Sequence, residues 1–177
     1  MANIMTTYVK VSNLNEETHK RFVDLFEDTD DLLSHFNKIY NAEFKDYDEI
    51  DREWMLENVG SKWIRIECED LEYYDDMDLV FETAWSIPIQ YLQKMVEFIG
   101  GGAVISGTYE DESYDPIGAF VYAVDYDDSE DYEEIDLDRM LSDDEYLESV
   151  YEGLYQLRDS MYEYCLEVMD ERAQEED

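Results

Sequence analysis

Five short stretches of the chain are rich in apolar, β-branched and aromatic residues, with polar residues alternating in some of them, as expected for strands. The clearest is 63–69, where Ile64, Ile66 and Cys68 alternate with charged residues. We predict strands at 6–12, 63–69, 79–85, 103–109 and 117–125.

Elsewhere apolar residues recur at spacings of three and four, the period of a helix with one buried face. This pattern predicts helices from about 15–26, at 30–40 and at 88–99. The longest run follows Asp143, where an apolar residue recurs at each turn from Leu147 to Val168. It predicts an amphipathic helix over 143–172, whose acidic first turn complements the helix dipole.

The order of these elements indicates an α+β protein. Two strands in sequence between two helices are typical of a ferredoxin-like (split βαβ) sheet, mostly antiparallel with helices on one face. We expect a long acidic C-terminal amphipathic helix in addition. The chain is interpreted as a single domain, 1–177, with a ferredoxin-like core at 1–125, an acidic loop at 126–142 and the C-terminal helix at 143–172.

The net charge of the chain is the main indication of its function. The chain has 49 acidic and 12 basic residues, a formal charge of −37, and 45% of its residues are hydrophobic. That apolar content supports a buried core and argues against general disorder. Residues 109–177 alone contain 26 acids and three arginines. Charge of this size opposes compaction by self-repulsion, so we expect it to serve a function.

The cysteines and the hydropathy pattern indicate in which cellular compartment the protein is expected. Cys68 and Cys165 lie far apart and form no CxxC pair. Two such cysteines favour a reducing cytoplasm, the host cell's if the protein is phage-encoded. No stretch approaches the roughly 20 apolar residues of a membrane span. An anionic surface is repelled by nucleic acid and by anionic lipid, so we expect neither as a partner.

No catalytic pattern stands out. His19 and His35 are the only histidines, and neither accompanies a recognisable nucleophile motif. With 49 acids in the chain, pairs of carboxylates are expected by chance and do not indicate a glycosidase. We therefore expect a protein that is not an enzyme.

One segment begins like a calcium-binding loop. Asp125-x-Asp127-x-Ser129 matches the first ligand positions of such a loop, but Glu130 stands where the loop needs glycine. Asp136 stands where the loop needs a bidentate glutamate. We expect no dedicated metal site and no cofactor.

Three short segments carry a resemblance to a known family. Gly60-Ser61-Lys62-Trp63 precedes a strand, FETAWSIP at 81–88 runs into a helix, and GTYEDE occupies 107–112. Together they resemble the YubB-like ferredoxin-like domain of phage and plasmid proteins, over about 60–122. The resemblance implies the ferredoxin-like fold and an origin in a mobile element, and it implies no reaction.

The acidic C-terminal part suggests mimicry of nucleic acid. Its carboxylates are interleaved with ten tyrosines, whose flat rings can stack on arginine. A rigid surface of this kind can occupy the site where a basic host protein, such as a restriction, CRISPR or other defence nuclease, binds DNA or RNA. Two alternatives remain open: an acidic adaptor that binds a basic protein without mimicry, and an acidic domain from a salt-adapted host. A homodimer also remains open.

The candidate partner-binding residues are the carboxylates at the end of the predicted core, along the predicted loop and in the first turns of the long helix. They are Glu110, Asp111, Glu112, Asp115, Asp125, Asp127, Asp128, Glu130, Asp131, Glu133, Glu134, Asp136, Asp138, Asp143, Asp144, Glu145, Glu148 and Glu152.

Overall fold

The computed structural model describes residues 3–27, 29–68, 71, 77–133 and 135–175. These residues form six strands: β1 (Ile4–Ser12), β2 (Ile64–Cys68), β3 (Met77–Ala84), β4 (Val104–Asp111), β5 (Ile117–Ala123) and β6 (Tyr126–Asp131). They also form six α-helices: α1 (Glu16–Phe26), α2 (Leu32–Ile39), α3 (Arg52–Asn58), α4 (Ile89–Ile99), α5 (Leu137–Met140) and α6 (Asp144–Glu175). Glu69, the last residue of the predicted 63–69 strand, lies outside the described residues.

The six strands form one antiparallel sheet in the order β2-β3-β1-β4-β5-β6. β1 is central, so Val9 pairs with Leu79 on one side and with Gly107 on the other. The predicted α+β class and antiparallel sheet are confirmed, and the observed bounds of the five predicted strands differ from the predicted ones by at most two residues.

Helices α1, α2 and α4 cover one face of the sheet. Phe22, Phe36 and Tyr91 from these helices pack with Val9 and Phe81 from the strands in one apolar cluster. His35 is buried within it, and its Nδ1–H donates to the Leu25 carbonyl at 2.9 Å because a carbonyl can only accept. Its Nε2 then accepts from the Tyr91 hydroxyl at 2.6 Å. Burial lowers the pKa of His35 to about 4, so the ring is neutral at pH 7.

Helix α6 packs on the opposite face, a position that sequence analysis did not assign. Val150, Leu154 and Cys165 contact small strand residues such as Ala119 and Val121 in a second apolar cluster. The helix has 32 residues, and at about 1.5 Å per residue it is about 48 Å long. It covers the β4 and β5 side of this face.

The prediction that 126–142 is an acidic loop is wrong in part, because this segment contains β6 and α5. Acidic residues have low strand propensity, but backbone pairing with the buried strand β5 overrides it. The turn before β6 is short, with Asp125 at φ 62°, a conformation that aspartate tolerates. The carboxylates of β6 are exposed, so the strand forms without burying charge.

Candidate acidic interaction surface

The acidic edge of the sheet is strand β6. It carries Asp127, Asp128, Glu130 and Asp131, all exposed. Side chains alternate along a strand, so Asp127 and Asp131 lie on the α4 face and Asp128 and Glu130 on the α6 face. A strand rises about 3.4 Å per residue, close to the roughly 3.4 Å axial spacing of phosphates along one strand of duplex DNA. Four carboxylates in five positions therefore approach the linear charge density of that strand.

Asp131 is fixed by a tyrosine that reaches across β5. The Tyr109 hydroxyl donates to Oδ1 of Asp131 at 2.5 Å. The strand between them carries Gly118, where a Cβ would lie 2.3 Å from the Tyr109 hydroxyl oxygen. Glycine at this position therefore permits the contact. Burial and the hydrogen bond to Asp131 raise the pKa of Tyr109, so this hydroxyl stays a donor at neutral pH.

Glu110 is held between the sheet and α6. Its Oε2 accepts from the Tyr151 hydroxyl at 2.6 Å, and its Oε1 accepts from the Tyr8 hydroxyl at 3.3 Å. Burial and then the bond to Glu110 raise the pKa of Tyr151. Glu110 is thus half-buried and fixes the first part of α6 against β1 and β4.

Asp111 differs from the other candidates because it is buried, with 3% exposure. Its Oδ1 accepts from Asn3 Nδ2 at 3.3 Å, from the Ser113 backbone N–H at 2.9 Å and from the Ser113 hydroxyl. These bonds shape the turn between β4 and β5. Asp111 therefore has a structural role, and a partner in solution cannot reach it.

A cleft of about 380 Å³ lies where β5 begins and β6 ends. Asp115, Asp131 and Glu133 contribute carboxylates to its lining, and Tyr114 and Tyr132 contribute aromatic rings. Tyr132 also approaches α6 at Gly153, where a Cβ would lie 2.1 Å from its hydroxyl oxygen. The structure thus brings together carboxylates that are up to 18 positions apart in sequence.

The remaining candidates lie around these groups. Asp136 caps α5 by accepting from the Arg139 backbone N–H at 3.1 Å, and Asp143 accepts from the Tyr146 backbone N–H at 3.1 Å. Glu134 lies outside the described residues. The others are exposed on turns, on α5 and on the first turns of α6: Glu112, Asp125, Asp138, Asp144, Glu145, Glu148 and Glu152.

The three arginines of this part of the chain each bind locally. Arg139 pairs with Asp143 at 3.0 Å, which lowers the pKa of that carboxyl. Arg158 pairs with Asp159 at 2.7 Å, and Arg172 donates to the Asp125 carbonyl at 2.9 Å. The carboxylates of the acidic edge therefore form no ion pair with any of these three arginines.

Most tyrosines of this region face inward, contrary to the expectation of a stacking surface. Of the ten, only Tyr155 and Tyr164 are exposed, at 46% and 58%. Tyr146, Tyr151 and Tyr162 pack against the apolar cluster beneath α6. The guanidinium carbon of Arg158 lies 5.2 Å from the centre of the Tyr155 ring, so one of the two exposed rings already has a cation beside it. The helical spacing of Tyr151 and Tyr162 in the sequence could have indicated that tyrosines of α6 pack against the sheet.

The comparisons with known proteins add no family. Neither a protein-family model, nor a curated protein, nor a solved structure matches this chain. The resemblance to the YubB-like domain therefore stays a prediction. Among the described residues, no helix is long and apolar enough to cross a membrane, and no three histidine, cysteine or acidic side chains converge to hold a metal ion.

Proposed function

We propose that this protein is a nucleic-acid mimic of the phage type, which inhibits a basic host protein by occupying its DNA- or RNA-binding site. The observation that carries the proposal is the edge strand β6, with four exposed carboxylates at close to the axial spacing of DNA phosphates. Proteins bind the nucleic-acid backbone mainly through lysine and arginine, which bind carboxylates as well. Inhibition is then stoichiometric and needs no reaction.

The distribution of ion pairs favours mimicry over general salt adaptation. Nine of the 12 basic residues lie in 1–108, where Lys20, Lys38 and Lys94 pair with neighbouring acids as in ordinary proteins. A domain adapted to high salt has reason to be acidic over its whole surface. Here the net charge is −14 over residues 1–108 and −23 over the shorter stretch 109–177, so negative charge is densest in the part that carries β6 and α6.

We include the ferredoxin-like fold in this proposal. Strands β1 to β4 stand in the order β2-β3-β1-β4, with α1 and α4 packed on one face. The chain order β1-α1-β2-β3-α4-β4, with two further helices before β2, fits the ferredoxin-like split βαβ pattern. It also supports the resemblance to the YubB-like domain of phage and plasmid proteins. We interpret β5, β6 and α6 as the additions that carry the acidic surface.

An acidic adaptor is the second candidate, favoured by the cleft at the sheet end. Three carboxylates and two tyrosine rings around one cleft can hold an arginine of a partner without imitating a nucleic-acid backbone. The two candidates differ in one respect. A mimic excludes nucleic acid from the partner, whereas an adaptor tolerates it.

Capture from a host-cell lysate tests the proposal. The immobilised protein should retain nucleic-acid-binding proteins, and added duplex DNA should release them. The matched control is the triple variant Asp127→Asn, Asp128→Asn and Glu130→Gln, which leaves the Tyr109–Asp131 hydrogen bond intact. It should retain far less of the same proteins. Captured proteins that resist release by excess DNA would contradict mimicry.

A further inference from the structure

The outer edge of β6 presents unpaired backbone groups. Tyr132 N–H donates to the Ile117 carbonyl at 2.7 Å, and β5 and β6 pair residue by residue from 118/131 to 123/126. In an antiparallel pair, hydrogen-bonded and non-bonded residue pairs alternate. The bonded residues of β6 are therefore 126, 128 and 130. The N–H and C=O groups of Asp127, Ser129 and Asp131 point away from β5.

This edge is held rigidly at both ends. Arg172 on α6 donates to the Asp125 carbonyl in the turn before β6, and Tyr109 on β4 donates to Asp131 at its end. Among the described elements, only β5 makes more than a few contacts with β6. The outward backbone groups of Asp127, Ser129 and Asp131 are therefore preorganised in the extended conformation and open to solvent.

The side chains decide what can pair with this edge. A second copy of β6 would place carboxylates beside carboxylates on both faces, and like charges on paired strands are destabilising. Acidic side chains on an exposed edge thus prevent self-association, as charged residues on edge strands commonly do. An extended segment rich in lysine or arginine meets the opposite charge on each face of the strand.

We infer that β6 accepts an extended lysine- or arginine-rich segment of the partner as a seventh strand, through the backbone groups of Asp127, Ser129 and Asp131. This inference deepens the proposed function and rests on it for the basic character of the partner. Backbone hydrogen bonds supply the register, and the carboxylates on both faces select a cationic segment. The partner's nucleic-acid-binding segment is then held in an extended form by pairing as well as by charge.

A synthetic peptide tests the pairing directly. The probe is a seven-residue peptide, Lys-Lys-Thr-Lys-Lys-Thr-Lys, with blocked ends, which presents lysines on both faces when extended and is titrated into the full chain. On binding, the amide protons of residues 127, 129 and 131 should become protected from hydrogen exchange, whereas those of 128 and 130 are already bonded to β5. The control is the same peptide with every backbone amide methylated, which keeps each lysine charge and removes each donor. It should bind at least about tenfold more weakly.

Ser129 offers a matched pair of variants. Ser129→Pro removes an N–H that faces away from β5, a position where an edge strand tolerates proline. Ser129→Ala removes the same hydroxyl but keeps the N–H. Neither changes the net charge. We expect Ser129→Pro to weaken peptide binding about tenfold relative to Ser129→Ala.

The outcomes separate this inference from the proposed function. Equal binding by the two Ser129 variants, equal binding of the methylated peptide, or no peptide binding would overturn strand pairing. Release of captured partners by DNA would still support mimicry in those cases. If strand pairing is observed but DNA does not release the natural partner, the proposed function is wrong and an adaptor that binds by strand addition replaces it.

Discussion

The two parts of the chain, 3–108 and 109–175, differ in where their acidic side chains lie and in what packs beneath them. In the first part several acids pair with nearby cations, as in Arg65 with Glu67 and Glu82, and the core beneath α1, α2 and α4 is mostly aliphatic and phenylalanine side chains. The polar groups of His35 and Tyr91 within it bond to each other.

In the second part, acids are placed on an edge strand and on the outer face of α6. The packing beneath is made by small and aliphatic side chains such as Val121 and Leu154, and partly buried tyrosines flank it. The hydroxyl of one of these, Tyr151, donates to the carboxylate of Glu110.

The difference shows how a high net charge is compatible with a packed structure. A tyrosine fills apolar space with its ring and brings a donor to the surface, where a carboxylate needs one. The carboxylates of β6 are exposed to water, so the strand forms without burying them. The acidic surface therefore rests on a core of its own rather than on an unstructured tail.

The largest effect on the free energy of unfolding is expected from truncating a side chain in the apolar cluster beneath α6. Leu154 on α6 is 1% exposed, so Leu154→Ala should lower the free energy of unfolding by about 2–5 kcal/mol. Leu141→Ala, at a position 75% exposed, is the control and should change it by less than about 0.5 kcal/mol. Urea unfolding followed by tryptophan fluorescence reports on residues 54, 63 and 85, all in the first part, and circular dichroism reports on the helices. If the two parts fold as a unit, both probes shift together, and separate transitions would contradict this.

A smaller effect on the free energy of unfolding is expected from removing a tyrosine hydroxyl. Tyr109→Phe removes the bond to Asp131 and should cost about 1.5 kcal/mol, the lower end for a hydrogen bond to a charged group, because Asp131 is exposed. Tyr164→Phe is the matched control, since Tyr164 is 58% exposed and makes no hydrogen bond within the described residues. Urea denaturation measures both. Equal values for the two variants would show that the tyrosines contribute only their rings.

The stability of the fold should depend on pH through His35, which lies in the first part of the chain. Its folded-state pKa of about 4 lies below the ordinary value of 6.5, so the unfolded chain binds more protons between these values. The stability due to neutral His35 is complete above about pH 6.5 and is lost as pH falls toward 4. From pH 7.5 to 5.5, the wild type should lose about 1 kcal/mol more than His35→Gln. Tyr91→Phe, which keeps the imidazole, should retain the wild-type pH dependence, and a wild type that matches His35→Gln would refute the assignment.

The smallest effect on stability is expected where the charge is densest. The triple variant Asp127→Asn, Asp128→Asn and Glu130→Gln should change the free energy of unfolding by no more than about 0.5 kcal/mol at physiological salt, because these side chains are exposed. Thermal or urea melts measure it. A loss of more than about 1 kcal/mol would mean that the carboxylates hold β6 in place, and a loss of binding by this variant could then not be assigned to charge.

Sequence pattern predicted most of the fold and part of the surface. Alternation at 63–69 and helical period from Leu147 to Val168 located elements with one buried face. Strand β5 is buried on both faces and does not alternate, and it was located as an apolar run after the turn at Asp115-Pro116. β6 was missed because all but the first of its side chains are exposed, so it has no alternation, and its pairing with β5 is a tertiary effect. Asp111 was counted as a surface group because burial of a single aspartate by a turn leaves no periodic pattern. The cleft at Asp115, Asp131 and Glu133 depends on strand order, which spacing in the sequence does not reveal.

Competition with DNA for a captured target tests the central proposal most directly. The target is saturated with a labelled DNA duplex, and this protein is added while sedimentation of the labelled DNA is followed. Mimicry predicts stoichiometric displacement of the DNA, with an affinity that falls less steeply with salt than that of the DNA complex, because the protein has fewer condensed counterions to release. A ternary complex, in which saturating DNA and this protein sediment together with the target, would contradict mimicry and leave the acidic adaptor in its place.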